Sequence, residues 1–89
     1  MNYWLDLFTG ATWDEFIRAG SRISGFRSSQ RKMVQKIKPG DILLCYLTGV
    51  SRRVGALRVV KHSNDKSKIW SDVDFPERLE VESLIALEP

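Results

Sequence analysis

The stretch KPGDILLCYL, residues 38–47, decides the fold. Its first four residues are a turn signal, because proline presets the backbone angle at the second position of a turn and glycine tolerates the conformation that follows. The run from Ile42 to Leu47 is continuously apolar, which is typical of a strand that is buried on both faces. Cys45, the single cysteine, lies in this run and is predicted to be a buried structural thiol.

The N-terminal stretch NYWLDLF, residues 2–8, alternates as a strand does. Successive side chains of a strand point to opposite faces. The two sets here are Tyr3, Leu5 and Leu7 on one face and Trp4, Asp6 and Phe8 on the other. Because both sets are mainly apolar, the pattern predicts a strand whose two faces are both at least partly covered.

Two more strands are predicted in the second half of the chain. VGALRVV, residues 54–60, follows the connecting loop TGVSRR, residues 48–53. The closing segment RLEVESLIAL, residues 78–87, alternates apolar with charged residues and predicts a strand with one wet face. Between these strands, residues 61–68 form a polar loop in which the only histidine, His62, should be exposed to solvent.

Two short helices are predicted before the central strand. In residues 9–20, Thr12 and Glu15 have the spacing of a capping box, and Trp13 lies on an apolar stripe that should pack into the core. The second helix, residues 29–38, presents its bases to solvent. Its predicted buried stripe is Met33, Val34 and Ile37.

The predicted order of elements is strand, helix, helix and then at least three strands. This order indicates an α+β domain whose strands curl into a barrel-like sheet. At 89 residues the chain can form one domain with a single modest core. No run approaches the roughly 20 apolar residues that cross a bilayer, and the N-terminus lacks the basic and apolar regions of a signal peptide. These features favour a cytoplasmic chain.

Positive charge is concentrated in the middle of the sequence. Residues 1–15 carry three acids and no base, residues 16–64 carry eleven Lys or Arg against one acid, and residues 65–89 carry seven acids against three bases. The net charge of +3 conceals this segregation. Such a distribution can attract a polyanion to one side of the fold, although a run of charge is also the ordinary property of a solvated surface.

The residue types of a catalytic or metal site are scarce. With one His and one Cys, a structural zinc site is excluded, and a Cys-His dyad would require two distant strands to converge. No glycine-rich phosphate loop is present. Asp72 and Asp74 could hold a cation, but two carboxylates in a loop are a weak signal. The sequence therefore favours a binding module, with neither cofactor nor metal, over an enzyme.

Aromatic residues beside bases are the chemical feature that remains. Cations bind phosphates and flat rings stack on unpaired bases, so the combination is typical of nucleic-acid binding. Trp13 is assigned to the core, and Trp4 to either the core or a pocket. Trp70 follows a polar loop and precedes a break at Pro76, so its ring is the best candidate for a binding surface, with core burial as the alternative.

Three motifs together resemble the EVE branch of the PUA-like superfamily, whose relatives include YTH domains. They are the opening NYWL, the run from Gly25 through the basic helix into IKPGDILLCYL, and the closing IWSDVDFPERLEVE. Between them, VGALRVV resembles the second barrel strand of the family. The likeness spans nearly all of residues 1–89 as one domain. It implies a small, mixed, barrel-like sheet of about five strands flanked by two or three short helices.

The resemblance also implies a pocket that accepts a flipped, methylated base while a basic surface holds the backbone. Related domains stand at the N-terminus of modification-dependent restriction proteins. From that context we expect DNA, slightly in preference to RNA, as the ligand. We also expect an attached or associated nuclease. The predicted base-pocket residues are Trp70, Phe26, Ser24, Gly25, Trp4 and Tyr46. The predicted phosphate-binding residues are Arg27, Arg31, Lys32, Arg52 and Arg53.

One position departs from the family pattern. Relatives commonly have Trp-Gly-Val where this chain has Ser24, Gly25 and Phe26, so Ser24 stands where a pocket tryptophan is expected. Either Phe26 or Trp4 supplies the missing ring, or the pocket is wider and polar, with the Ser24 hydroxyl contacting the base. The alternative function is a protein-interaction or small-molecule-binding module that docks an acidic partner on the basic face.

Overall fold

The predicted turn and central strand are present in the computed structural model, which describes residues 1–49 and 52–86. The Asp41 N–H donates to the Lys38 carbonyl over 3.0 Å, and Gly40 has a φ of 91°, in the left-handed region that favours glycine. A 3₁₀ turn precedes the second helix. The elements in chain order are β1 (Tyr3–Phe8), α1 (Gly10–Arg18), β2 (Ile23–Phe26), the 3₁₀ turn (Ser28–Gln30), α2 (Arg31–Lys36), β3 (Ile42–Leu47), β4 (Arg52–Ser63) and β5 (Glu77–Ala86).

The five strands form one mixed sheet in the order β1-β3-β4-β5-β2. β1 runs parallel to β3, and the other three pairs are antiparallel. Register shifts interrupt the β3–β4 and β4–β5 ladders, and such irregularities bend and twist a strand. The sheet curls into a half-barrel with β1 and β2 at its two edges, which confirms the predicted α+β class with a barrel-like mixed sheet.

The core lies between α1 and the inner face of the sheet. Trp13 and Phe16 of α1 are fully buried and stack on each other with ring centroids 5.3 Å apart, which confirms the core assignment of Trp13. Gly55 allows this ring to pack directly on β4, because a Cβ there would lie 2.8 Å from the Trp13 ring. Cys45 is fully buried as predicted, and burial raises the pKa of its thiol well above the ordinary range.

The first helix begins three residues earlier than its predicted capping box. The side chain of Thr9 accepts from the Thr12 N–H over 3.1 Å, and the Thr12 side chain accepts from the Thr9 N–H over 2.9 Å. The box is therefore formed by Thr9 and Thr12, and the prediction of Thr12 with Glu15 is wrong. Threonine at the third helical position replaced the expected Glu or Gln, so the sequence pattern did not show it. Glu15 takes no part in this box, and its carboxylate accepts hydrogen bonds from Ser71 instead.

The strand β4 is longer than predicted at both ends. Arg52 and Arg53, predicted to lie in a loop, are its first residues, and residues 50–51 of that loop lie outside the described residues. At the other end, His62 belongs to the strand rather than to a loop, and its Nε2 lies 2.9 Å from the Ile37 carbonyl oxygen. The residue as a whole is exposed, as predicted.

The outer face of β1 is apolar and more than half exposed, so among the described residues this face of the first strand is covered only in part. Tyr3, Leu5 and Leu7 are 62%, 57% and 58% exposed. The register of β1 with β3 places Leu44 and Tyr46 beside them. The other face of β1 points into the half-barrel, and its residues Asp6 and Phe8 line the candidate site.

Candidate functional site

A cavity of about 530 Å³ opens at one end of the half-barrel, where β1 and β2 end and α1 begins. Phe8 and Thr9 line it from the end of β1, Phe26 from the end of β2, and Phe75 from the segment that precedes β5. Its volume falls in the range of roughly 300–1,000 Å³ that is usual for small-molecule sites. The cavity can therefore hold a ligand of the size of a nucleobase.

Phe26 and Phe75 form one apolar wall of the cavity, which Phe8 lines from β1. Phe26 is buried, and Phe75 is partly exposed. Behind Phe75 stands the ring of Trp70, with the two centroids 5.0 Å apart and the planes at 78°. Gly25 permits this packing, because a Cβ there would come 2.6 Å from the Phe75 Cβ and 2.9 Å from the Trp70 ring. The absence of a side chain at Gly25 therefore lets the wall rest directly on β2.

Trp70 supports the wall from behind and does not line this cavity. The residue is 2% exposed, and its indole N–H donates to the Thr12 carbonyl over 3.2 Å. The guanidinium carbon of Arg78 lies 5.4 Å from the ring centroid. Trp70 borders instead a separate polar depression of about 420 Å³, lined in part by Lys66 and Lys68. Of the two alternatives given for this ring, the structure places it in the interior.

Arg78 fixes the segment that carries Phe75. The sequence places Arg78 on the wet face of the closing strand, but the residue is only 7% exposed, so that prediction is wrong. Its Nε donates to the Phe75 carbonyl over 3.0 Å, and its Nη1 donates to the Ser67 carbonyl over 2.6 Å. The carboxylate of Asp65 lies 3.6 Å away. These acceptors satisfy the guanidinium, which makes its burial tolerable.

The helix α1 holds the same segment from the other side. The backbone N–H and the hydroxyl of Ser71 donate to Glu15 Oε2 over 3.1 and 2.8 Å. Glu15 is available for this contact because it takes no part in the capping box. The segment that carries Phe75 is therefore tied both to α1 and to β5, and the wall of the cavity is preorganised.

Asp6 lies deep in the cavity on the inner face of β1 and is 2% exposed. The Ser24 hydroxyl of β2 donates to Asp6 Oδ2, a contact that joins the two edge strands of the half-barrel. Burial raises the pKa of Asp6 to about 7, and the hydrogen bond from Ser24 offsets this only in part. Ser24, a predicted base contact, is itself fully buried and bonded to Asp6.

The first group of predicted phosphate-binding cations lies around the mouth of the cavity. Arg27 lines the mouth, with its guanidinium carbon 5.7 Å from the centroid of the Phe75 ring. Arg31 of α2 is exposed but pairs with Glu77 over 3.3 Å. Lys32 is exposed and has no ion pair among the described residues. Arg27 and Lys32 are thus the two members of this group whose charge is not already balanced.

Arg52 and Arg53 diverge to opposite faces of the sheet. Arg52 is registered with Leu47, whose other neighbour is Phe8, so it shares the face and the end of the sheet on which the cavity lies. Arg53 is registered with Tyr46 and belongs to the outer face. The structure therefore separates two residues that the sequence had treated as one pair.

The remaining aromatic residues predicted for the pocket lie away from the cavity. Trp4 donates its indole N–H to Asp41 Oδ2 over 2.9 Å at the start of β1, and Tyr46 lies on the outer face. Of the six predicted pocket residues, Gly25 and Phe26 line the cavity.

Most lining residues were not predicted, and two of them, Phe75 and Asp6, are central to the site. Phe75 carries no signal beyond its place before a proline, but Asp6 could have been found as the one acid on a strand face that is otherwise apolar.

The described residues include few other groups that could bind a metal ion. Asp72, one of the two acids suggested as a cation ligand, lies at the cavity, and Asp74 does not. No group of three or more His, Cys, Asp or Glu is placed to hold a metal ion in residues 1–49 and 52–86. Within the same part of the chain, no helix is long and apolar enough to span a membrane.

Solved YTH domains share this fold. A complex of the YTH domain-containing protein Mmi1 with RNA superposes with a TM-score of 0.72 over 97% of this chain at 16% identity. The Pho92 YTH domain in complex with m6A gives a TM-score of 0.67 over 92% of the chain at 16% identity. The YTH domain of the Zygosaccharomyces rouxii MRB1 protein, in complex with N6-methyladenosine RNA, gives 0.65 over 92% at 12% identity.

This chain spans little more than half the length of those structures, 56%, 56% and 58% respectively. No family model and no curated protein matches the sequence. At these identities the likeness shows the fold alone, which this chain shares with solved YTH domains.

Proposed function

We propose that this chain is a non-catalytic nucleic-acid reader that accepts one unstacked, modified base in the cavity beside Phe75. The observation that carries the proposal is the juxtaposition of that cavity with Arg27 at its mouth. Phe26 and Phe75 supply apolar ring surface for a base, and Arg27 supplies a cation for the phosphates that flank it.

The interior of the cavity suits a base better than a phosphate. Its charged lining residues are Glu15, Asp72 and Arg27, joined by Asp6 above its pKa of about 7, so carboxylates outnumber cations there and would repel an anion. A neutral base that offers N–H groups meets no such repulsion. Phosphates are therefore expected outside the cavity, on the exposed cations around its mouth.

The aromatic rings and the cations contribute differently to the free energy of binding. Flipping a base out of a stack costs a few kcal/mol, and stacking on an aromatic side chain returns about 1–3 kcal/mol per base. Since these two contributions nearly cancel, phosphate contacts must supply most of the affinity. The contacts inside the cavity then decide which base is held.

Three similar structures contain ligands of the proposed class. The Mmi1 structure is a complex with RNA, the Pho92 structure a complex with m6A, and the MRB1 structure a complex with N6-methyladenosine RNA. They support a nucleic-acid reader and favour RNA at least as much as DNA. The preference for DNA, the EVE assignment, an attached nuclease and a cytoplasmic location stay predictions.

Replacing Phe75 with alanine should weaken binding of a single-stranded oligonucleotide by about 1–3 kcal/mol, roughly 5- to 150-fold. The substitution removes the partly exposed ring of the wall and leaves the cations in place. The slope of log affinity against log salt should therefore stay the same. Fluorescence anisotropy with DNA and RNA strands, with and without methylated bases, at several salt concentrations measures both quantities.

Tyr46→Ala is the matched control, because it removes an aromatic ring from the outer face. Its affinity should equal that of the unaltered protein. A flat salt dependence would rule out the phosphate contacts, and equal losses in the two variants would rule out the cavity. The alternative function, docking of an acidic partner on the basic face, predicts that Phe75→Ala retains full binding to single-stranded DNA resin and to heparin.

A further inference from the structure

We propose that Asp6 is the residue that selects the base: its Oδ1 accepts a hydrogen bond from the exocyclic amino group of an adenine-type or cytosine-type base. This inference rests on the proposed function, and it narrows the ligand to amino bases as opposed to keto bases. Neither the comparisons nor the family resemblance assigns a role to this position, which follows from the geometry at the bottom of the cavity.

One oxygen of Asp6 is occupied and the other is not. Ser24 donates to Oδ2, and it is the one hydrogen-bond partner of Asp6 among the described residues. Every fully buried side-chain nitrogen or oxygen in the described part of the chain has a partner. Oδ1 has none, so it must keep access to the cavity that Asp6 lines. The neighbouring Cys45 thiol does not compete, since it lies 3.9 Å from the Leu43 carbonyl oxygen and points to it.

The other polar groups of the cavity are either occupied or at its mouth. The hydroxyls of Thr9 and Thr12 donate within the capping box, over 3.2 and 3.3 Å. Glu15 Oε2 accepts from Ser71. Four further polar lining residues are exposed: Arg27, Gln30, Thr48 and Asp72. Asp6 is therefore the one deep lining residue of the described chain that has hydrogen-bonding capacity to spare.

The chemistry of this oxygen selects an N–H donor. Above its pKa of about 7, Asp6 is a carboxylate whose oxygens only accept hydrogen bonds, so an amino group that enters the cavity satisfies Oδ1. A keto oxygen at the same place would set one acceptor against another and leave both without a partner in a water-poor site, which is costly. An amino group with one methyl substituent keeps one N–H and remains acceptable, but an amino group with two has none.

The test compares bases that differ at this one group, at about pH 8, where Asp6 is ionised. The probes are oligothymidine strands with a single central adenine or hypoxanthine, N6-methyladenine or N6,N6-dimethyladenine, or cytosine or uracil. In each pair the first base carries an exocyclic amino N–H that the second lacks, and it should bind at least about tenfold more tightly to the unaltered protein. In Asp6→Ala this preference should disappear. In Asp6→Asn it should also be lost, because the single carboxamide oxygen accepts from Ser24 and the NH2 group then faces the cavity.

The outcomes separate this inference from the function on which it rests. Binding that depends on salt and on Phe75, but is equal within all three pairs, would overturn the role of Asp6 and leave the reader function standing. A preference that survives in Asp6→Ala would do the same. Binding that ignores both salt and Phe75 would overturn the two together. If Asp6→Ala does not fold, the comparison of bases on the unaltered protein still decides.

Discussion

Replacing Trp70 with alanine should lower the free energy of unfolding by about 3–5 kcal/mol, the usual cost of truncating a buried large aromatic residue. The ring fills the space between Gly25, Phe75 and Arg78, and its indole N–H is bonded to the Thr12 carbonyl. Its removal leaves a cavity and an unpaired carbonyl. Urea unfolding, followed by circular dichroism, measures the change. Nucleic-acid binding should fall as well, since Phe75 loses its support.

Trp70→Phe is the control for this variant. It keeps most of the packing and loses the hydrogen bond to Thr12, so it should cost much less, about 1–2 kcal/mol. If the free energy of unfolding of Trp70→Ala instead lies within about 1 kcal/mol of that of the unaltered protein, the substitution behaves as a surface substitution does. Trp70 is then not a structural support. Loss of binding with stability intact would restore it as a direct contact of the base.

The free energy of unfolding should fall by about 2–3 kcal/mol between pH 5 and pH 8, at about 1.4 kcal/mol per pH unit up to the folded pKa. The cause is Asp6, whose pKa burial raises to about 7 in the folded protein from the ordinary 3.8. Between these two values the folded state holds a proton that the unfolded state releases. The contribution is therefore fully present below pH 3.8 and is lost as the pH rises through about 7. Urea unfolding at a series of pH values gives the slope.

Asp6→Asn should make this part of the pH profile flat. The carboxamide does not titrate and can keep the contact with Ser24, so the variant should match the unaltered protein at pH 5 and exceed it at pH 8. Two other shifted carboxyls, Asp41 and Asp65, have lowered pKa values and titrate below this window. An unaltered slope in Asp6→Asn would show that another group is responsible.

The parts of the fold that follow from local chemistry were predictable from the sequence. A proline and a glycine in succession fix the turn before β3, and six apolar residues in a row predict the strand itself, although Leu44 and Tyr46 on its outer face are only partly buried. The apolar stripe of α1 likewise placed Trp13 in the core before any contact was known. In each case neighbours along the chain determine the outcome.

The candidate site was predictable only in part, because it is assembled by contacts between distant residues. Gly25 and Phe26 were found through a family motif, but the partners of Trp70 lie 58 positions away at Thr12 and across a loop. Nothing in the local pattern distinguishes an exposed ring before a proline break from a buried one. The same is true of Arg78, whose alternating strand position indicates solvent and whose acceptors are carbonyls of a loop that precedes it.

The charge pattern of the sequence likewise predicted the surface charge only in part. Acids from the C-terminal part of the chain fold back onto the basic middle, as in the pairs of Arg31 with Glu77 and Arg58 with Glu82. Segregation along the sequence therefore overstates segregation on the surface. Strand register then separates Arg52 from Arg53, since adjacent residues of a strand point to opposite faces.

The most direct test of the central claim, that one base enters the cavity, is heteronuclear NMR of the ¹⁵N-labelled protein with a single-stranded oligonucleotide. The claim predicts intermolecular NOEs between the Phe75 ring and protons of a single base, with the largest amide shifts at Gly25 and Phe26. The largest shifts on the outer face, at Leu5 and Tyr46, with no NOE from any base to Phe75, would contradict it.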